Sequence, residues 1–301
     1  MSKFEHNQLA NFAQPASDTE ELKMENARNA ILKALNTSNI LKHNEYEVFG
    51  QGSYANNTNI RNNSDVDINV CYHGAFYYTL PENTTAQEMG LLEPPTYTYS
   101  KYKDDIVKML VDYFGSTNVE RKNKCIHVKG NSYRTDIDVV PTWKHRLFTS
   151  KLGSYKEGVR LISDSHENVD NYPKQHLQNG IIKNNSTFHR YKKLVRIVKV
   201  LKTKMENEKY YENQNITSFL IEALVYNYPN NKLISNQFSL DWNAILRNFI
   251  FYFWDGCSEQ NDAWKYWHEP SECLYLMYNH KWDKDIVREF MYKLWNYLKY
   301  S

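Results

Sequence analysis

The sequence predicts an α+β protein, with a mixed β-sheet and flanking helices in its first half and a helical lobe in its second half. Segments with strand character lie before residue 150, whereas apolar residues at helical spacing dominate after residue 173. The composition, 41% hydrophobic and 24% charged, is that of a folded chain long enough to bury a core. We expect the division between residues 150 and 172, which gives lobes over 1–160 and 161–301.

The first half begins with a predicted helix over residues 17–35. Ser17 and Glu20 have the spacing of a capping box, and apolar residues then recur at helical period. The other strands and helices of this half are predicted from the spacing of their apolar residues. The strands are over 46–49, 65–72, 125–129 and 133–140, and the helices are over 54–60 and 102–114. We expect Gly130-Asn131 to form a hairpin turn and Pro141 to end the last strand.

Two further regions complete the predicted organisation. Residues 73–98 contain proline and threonine and have weak periodicity, so we interpret them as an insertion loop or lid. The chain beyond residue 173 has the apolar spacing of helices, which we place over 189–205, 217–228, 242–254 and 283–300.

Charge and cysteine content limit the classes of function. The 37 basic and 35 acidic residues give a net charge of +2, whereas proteins that grip a nucleic-acid backbone carry a clear basic surplus. The apolar runs are too short to span a bilayer, and the first residues lack the apolar core of a signal peptide. Four cysteines in 301 residues suit a reducing cytoplasm, where we expect the protein to act. We expect no membrane partner.

A glycine-serine turn follows the first predicted strand. Gly52 and Ser53 lie between that strand and a predicted helix, and Gln51 precedes them. Glycine lets the backbone approach a ligand closely, and a helix N-terminus offers free N–H groups to phosphate. A lone Gly-Ser pair is a weak signal, so its meaning depends on the residues that follow.

Three carboxylates give that turn a chemical context. Asp65 and Asp67 are two residues apart on a predicted strand, which places both on one face. Asp138 lies on another predicted strand, and Asp136, on the same face, competes for its role. If the two strands are adjacent, the carboxylates converge on a site for Mg²⁺, and paired ions of this kind serve displacement at phosphorus. A lone D-x-D is more often a solvated strand end, whereas the ordered combination favours a nucleotidyltransferase.

The motifs resemble those of the DNA polymerase beta-like nucleotidyltransferase superfamily. Residues 51–58 and Ser64-Asp65-Val66-Asp67 are similar to the first motif of the branch that holds cyclic GMP-AMP synthase, oligoadenylate synthase and the bacterial CD-NTases. Asp138-Val139-Val140-Pro141 resembles the segment with that branch's third carboxylate, which favours Asp138 over Asp136. The resemblance covers residues 45–228 and implies a polymerase beta-like core with a helical lobe that completes a nucleotide pocket.

The second half adds residues to the implied site. By resemblance, Lys199 binds the donor triphosphate, Ser218 touches it, and Phe219 stacks on the donor base. Each also has a plain structural interpretation: a basic helix face is usually solvated, a serine often starts a helix, and phenylalanine is usually part of the core.

The resemblance implies an enzyme that makes a cyclic di- or trinucleotide second messenger from NTPs with release of pyrophosphate, in bacterial anti-phage (CBASS-type) signalling. Asp65, Asp67 and Asp138 would hold two Mg²⁺ ions, for which Mn²⁺ could substitute. Gln51, Gly52, Ser53, Lys199, Ser218 and Phe219 would bind the nucleotide. We expect ATP or GTP as substrates, with UTP a further candidate, a monomer, no nucleic-acid activator, and a separate effector that binds the product. The alternative is a nucleotidyltransferase that makes linear oligonucleotides or modifies RNA, protein or a small molecule.

Overall fold

The fold is described from a computed structural model, which covers residues 2–41, 45–61, 65–91, 97–151, 153–234, 240–277 and 282–300. The contacts divide the chain into two compact units. The helical unit comprises Met1–Ala16, Ala55–Asn62 and Lys174–Ser301, and the sheet unit comprises Ser17–Tyr54 and Asn63–Pro173.

The elements are numbered in chain order. The helices are α1 (His6–Phe12), α2 (Asp18–Thr37), α3 (Gly52–Ala55), α4 (Tyr99–Phe114), α5 (Pro173–Ser186), α6 (Arg190–Asn207), α7 (Ser218–Asn227), α8 (Asn230–Ile234), α9 (Trp242–Gly256) and α10 (Lys284–Tyr297). The strands are β1 (Tyr46–Gln51), β2 (Val66–Thr79), β3 (Val119–Arg121), β4 (Ile126–Val128), β5 (Ile137–Phe148), β6 (Tyr155–Ile162) and β7 (Asn168–Asn171). Short 3-10 turns occupy Ser116–Asn118 and Ala263–Tyr266.

The sheet unit is built on one mixed sheet in the order β1-β2-β5-β4-β3. β2 and β5 run parallel, and every other pair is antiparallel. β6 pairs with the second part of β5, from Trp143 onwards, and β7 extends the sheet beyond β6. The predicted α+β class with a mixed sheet and flanking helices is confirmed.

Helices α2 and α4 pack against this sheet. The predicted capping box is present, because the Ser17 side chain accepts from the Glu20 N–H and the Glu20 carboxylate accepts from the Ser17 N–H. In α4, the buried Tyr102 hydroxyl donates to the Val70 carbonyl at 2.5 Å, and the Tyr99 hydroxyl donates to the Pro141 carbonyl at 2.7 Å. These bonds tie the helix to the two central strands.

The ends of the two central strands differ most from the sequence prediction. Pro141 was expected to end a strand, but β5 continues to Phe148. On the edge of β5 away from β2, pairing with β4 ends at Val139 and pairing with β6 begins at Trp143, so proline's missing N–H interrupts neither ladder. The predicted insertion loop over 73–98 is also wrong in part, because β2 extends to Thr79 beside the long β5. Residues 92–96 of that region lie outside the described residues.

The helical unit surrounds a core of aliphatic and aromatic side chains. Fully buried members of this core include Tyr191, Leu220, Phe249, Phe253 and Phe290, which come from helices α6, α7, α9 and α10. No helix among the described residues is long and apolar enough to cross a bilayer.

Two short segments distant in sequence belong to the helical unit rather than to the sheet unit. The buried Arg196 guanidinium on α6 donates to the Ala13 carbonyl at 2.7 Å and to the Asn57 carbonyl at 2.6 Å. The Arg61 guanidinium likewise donates to the Pro15 carbonyl at 3.1 Å. The two units are therefore built from separate stretches of chain, and the last division falls after Pro173, whereas the sequence predicts a single division between residues 150 and 172.

We predict that Arg196→Met destabilises the protein by about 3 kcal/mol, since it removes two charge-assisted hydrogen bonds and leaves buried carbonyls unpaired. The matched control is Lys202→Met on the same helix. Lys202 makes only a partly exposed ion pair with Glu206, for which we expect a loss of roughly 0.5 kcal/mol. Urea unfolding of both variants measures the difference, and equal losses would contradict the role given to Arg196.

Candidate active site

The glycine-serine turn begins at the end of β1, where the chain enters the short helix α3. Gly52 has a φ of +68°, a conformation that favours glycine. A Cβ atom at this position would lie 2.2 Å from Oδ2 of Asp67, so only glycine lets the backbone pass so close to that carboxylate. The turn and the first carboxylate motif are therefore packed against each other within the sheet unit.

The strand register aligns the central polar residues of the site. Asp67 on β2 is opposite Asp138 on β5, and these two strands are parallel neighbours. Gln51 is opposite Asp67 on the other edge of β2, and His127 on β4 is opposite Asp138. Four neighbouring strands thus place Gln51, Asp67, Asp138 and His127 in one row across the sheet. We call these four residues the site row.

Asp65 lies just before β2, two residues from Asp67, and its side chain is exposed. Burial, followed by the charges of Asp138 and Asp65, raises the pKa of Asp67 to about 6. Although Asp65 is largely exposed, its partial burial raises its pKa, and the charges of Asp138 and Asp136 add to this effect. The three predicted carboxylates therefore interact with one another and would be stabilised by positive charge.

Asp136 and Asp138 have different partners. The Asp136 carboxylate accepts a hydrogen bond from the Gly130 backbone N–H in the loop between β4 and β5. The Asp138 Oδ1 atom lies 2.9 Å from His127 Nδ1 and 3.8 Å from Lys122 Nζ. The structure thus places Asp138, rather than Asp136, opposite Asp67.

The donor set suits a hard divalent cation. Asp65, Asp67 and Asp138 offer carboxylate oxygens, the ligands that Mg²⁺ and Mn²⁺ prefer. The pKa values of Asp65 and Asp67 are raised by burial and then by neighbouring acidic charges, which a cation would offset. Among the residues that the structure describes, no group of three or more His, Cys, Asp or Glu side chains is already arranged around a metal position. The carboxylates fit the ion by their chemistry and by their shared position on the sheet.

Gln51 is held by a chain of side-chain hydrogen bonds. The Asn69 Nδ2 group donates to Gln51 Oε1 at 3.0 Å, and the Thr142 hydroxyl donates to Asn69 Oδ1 at 2.6 Å. Asn69 and Thr142 are both fully buried. Gln51 is predicted to bind nucleotide. Its orientation is therefore set by side chains of β2 and β5, the next two strands of the sheet.

Lys199, predicted to bind the triphosphate, lies in a buried network of the helical unit. Its Nζ atom donates to the Thr58 carbonyl at 3.1 Å and to Glu222 Oε2 at 3.4 Å. Glu222 also accepts from the Thr58 hydroxyl at 2.7 Å and from His176 Nε2 at 2.8 Å. We call Thr58, His176, Lys199 and Glu222 the buried network. Its ion pair links α6 to α7.

Burial alone would raise the pKa of Glu222, but its partners outweigh that effect. The charge of Lys199 and the hydrogen bonds from His176 and Thr58 lower the pKa of Glu222 to about 2. The carboxylate therefore stays charged inside the helical unit at neutral pH. This pairing was not predicted from the sequence, since Lys199 and Glu222 lie on separate helices 23 residues apart.

Ser218 and Phe219 begin α7. Thr217 caps the helix, because its hydroxyl accepts from the Leu220 N–H, and Ser218 is the first helical residue with an exposed side chain. The Phe219 ring is half-buried and stacks on Trp282, with centroids 5.6 Å apart and planes within 13°. Ser218 is thus accessible, and one face of Phe219 is covered.

The motif resemblance can now be compared with known proteins. Residues 178–299 match the family of cGAS/DncV-like nucleotidyltransferase C-terminal helical domains. The chain is 43% identical to a cyclic dipyrimidine nucleotide synthase, CdnE, from Cecembia lonarensis, over the full length of both chains. It is 36% identical to a cyclic dipurine nucleotide synthase from Elizabethkingia meningoseptica, over 99% of each.

A solved structure of a similar protein has the same fold. The CdnE cyclic dinucleotide synthase of Elizabethkingia meningoseptica, in a structure with GTP and Apcpp, superposes with a TM-score of 0.82 at 35% identity. The alignment covers 99% of this chain and all of that one. Fold and site therefore define a nucleotidyltransferase. The chain belongs to the bacterial CD-NTase family, as the sequence motifs predicted.

We predict that Gly52→Ala lowers activity at least tenfold, because the new methyl group would displace the Asp67 carboxylate. The matched control is Gly90→Ala. Gly90 has a φ of +63° but open space around the added methyl, so both variants carry the same backbone strain of about 1 kcal/mol. Thermal unfolding and nucleotide turnover separate the two effects. Equal turnover in the two variants would contradict the close packing of Gly52 on Asp67.

The buried network predicts an acid-dependent contribution to stability. Because folding lowers the pKa of Glu222 from 4.5 to about 2, its stabilising effect is complete above pH 4.5 and is lost as the pH falls towards 2. Glu222→Gln should therefore lower the free energy of unfolding most near pH 6, and the deficit should shrink towards pH 3. Urea unfolding at both pH values tests this, with exposed Glu259→Gln as the control. A deficit independent of pH would contradict the prediction.

Proposed function

We propose that this CD-NTase joins NTPs into a cyclic di- or trinucleotide with release of pyrophosphate. The single observation that carries the proposal is the pairing of Asp67 with Asp138 on adjacent parallel strands, beside Asp65 and against the Gly52 turn. Relatives over the whole chain are named as cyclic nucleotide synthases, which supports ring closure as the outcome.

The chemistry follows from the carboxylates and the turn. Asp65, Asp67 and Asp138 would hold two Mg²⁺ ions, which when bound supply charge neutralisation at the phosphates and acidify the acceptor hydroxyl. The N–H group of Gly52 and the Ser53 hydroxyl bind triphosphate oxygens. Asp138 accepts the proton of the acceptor hydroxyl. The hydroxyl oxygen attacks the α-phosphorus in line with the departing pyrophosphate. Catalysis is then positioning and charge stabilisation.

A second set of nucleotide contacts is proposed for the helical unit. Lys199 and Ser218 would bind the donor triphosphate, and Phe219 would stack on the donor base. For Lys199 this means sharing its ammonium group between the phosphate and the buried network. An ammonium has three N–H donors, so such sharing is chemically possible.

We propose ATP, GTP or UTP as substrates, a monomer acting in the cytoplasm, and an effector that binds the product in CBASS-type anti-phage signalling. We propose no nucleic-acid activator. Of the seven basic residues in 189–204, Arg190, Arg196 and Lys199 are buried, which leaves little basic surface on α6 for a duplex. The alternative function keeps the site and changes the acceptor to RNA, protein or a small molecule, or stops at linear oligonucleotides.

The deciding experiment is incubation of the purified protein with all four NTPs and Mg²⁺, followed by mass spectrometry. A mass equal to the sum of nucleoside monophosphate residues, without terminal phosphate, identifies a cyclic product. Linear products, or products that require added RNA, would favour the alternative.

We predict that Asp65→Asn combined with Asp67→Asn lowers product formation by at least a thousandfold, since it removes two of the three proposed metal ligands. The fold should survive, because the amides keep the carboxylate shape and relieve the burial of charge at Asp67. Exposed Asp112→Asn on α4 is the control. Circular dichroism checks folding, and labelled NTPs with thin-layer separation measure product. Appreciable product from the double variant would reject the assignment.

A further inference from the structure

We propose that His127 is a positioning residue for Asp138, which fixes the orientation of the carboxylate by a hydrogen bond to Oδ1. The inference rests on the proposed function, because it concerns the role of Asp138 at the same site. Neither the sequence motifs nor the names of the relatives assign a role to this histidine.

The backbone register places His127 for this role. β4 pairs antiparallel with β5, and His127 is directly opposite Asp138. Side chains of directly opposed residues project from the same face of a sheet. The neighbours Ile126 and Val128 are fully buried and hold the short strand in place. The imidazole is therefore presented to Asp138 by a fixed strand.

The hydrogen bond has a defined direction. His127 Nδ1 lies 2.9 Å from Asp138 Oδ1. An ionised carboxylate can only accept, so with Asp138 in that form the donor is Nδ1. The His127 side chain is 14% exposed and that of Asp138 is 22% exposed. A bond shielded to this extent restricts the rotation of the carboxylate more than one in open water.

The charged neighbours of Asp138 favour one of its two oxygens. The ammonium group of Lys122, 3.8 Å away, approaches the same Oδ1 atom that His127 contacts. Both of these contacts are with Oδ1, and the Cys125 side chain also interacts with the Asp138 carboxylate. Asp67 has a different restraint, since its Oδ2 faces the backbone of Gly52. The two opposed carboxylates are thus oriented by different means, and Asp138 depends on a side chain.

This arrangement predicts which substitutions of His127 keep the hydrogen bond to Asp138 and which lose it. In His127→Asn the amide Nδ2 can occupy the place of the ring Nδ1 and donate the same bond. His127→Leu has a side chain of comparable reach but no donor. His127→Gln places its amide farther out, near the position of Nε2. Residues that orient a metal ligand typically contribute 10–100-fold to affinity or activity.

The experiment compares these three variants with wild type by two readouts. Nucleotide turnover gives kcat and KM, and electron paramagnetic resonance measures Mn²⁺ binding to the protein without nucleotide. We expect His127→Leu to lower kcat 10–100-fold and Mn²⁺ affinity about tenfold, with KM for NTP changed less than twofold. His127→Asn should stay within about threefold of wild type, and His127→Gln should resemble the leucine variant. Exposed Glu120→Gln, opposite His127 on β3, is the control.

Wild-type kcat and Mn²⁺ affinity in His127→Leu would overturn the proposal. Equal defects in His127→Leu and His127→Asn would also overturn it, because the ring and not its donor would then matter. If the leucine variant does not fold, the asparagine and glutamine variants decide, and equal values for these two refute the role. Failure of the proposed function is distinguishable: wild type would then give no cyclic product, whereas Mn²⁺ binding without nucleotide would still compare the variants.

Discussion

The parallel pairing of β2 with β5 is the constraint on which the candidate site depends. It brings Asp67 next to Asp138 although they are 71 residues apart in sequence. A register shift of one residue would turn Asp138 to the opposite face of the sheet. Helix α4 holds this register, because Tyr102 and Tyr99 donate to the carbonyls of Val70 and Pro141, which are themselves paired residues of the two strands.

The surroundings of a buried carboxylate differ between the two units. In the helical unit, Glu222 is stabilised by Lys199, by His176 and by Thr58, and its pKa falls to about 2. In the sheet unit, Asp67 has acidic neighbours, and burial and their charges raise its pKa to about 6. The first arrangement stabilises the fold on its own. The second leaves negative charge that a bound cation would relieve, as expected where function opposes stability.

Much of the fold and part of the site followed from local patterns. The capping box at Ser17, the spacing of Asp65 and Asp67, and the turn at Gly52 are short-range signals, and each has its predicted place in the structure. The continuation of β5 past Pro141 depends on a gap between two partner strands, which no local pattern records. The strand that holds His127 was predicted, but the role of His127 was not, because it depends on the pairing of β4 with β5 that sets this residue opposite Asp138.

The relatives of this chain are named for products with different bases. Proteins that are 43% and 36% identical to this chain over nearly its whole length are named for dipyrimidine and dipurine products. The contacts proposed for the site row and the Gly52 turn are with phosphates, a metal ion and a hydroxyl, and the phosphates and hydroxyls of an NTP do not depend on its base. A fold and a phosphate site of this kind can therefore serve either class of base, and the choice belongs to side chains outside the site row.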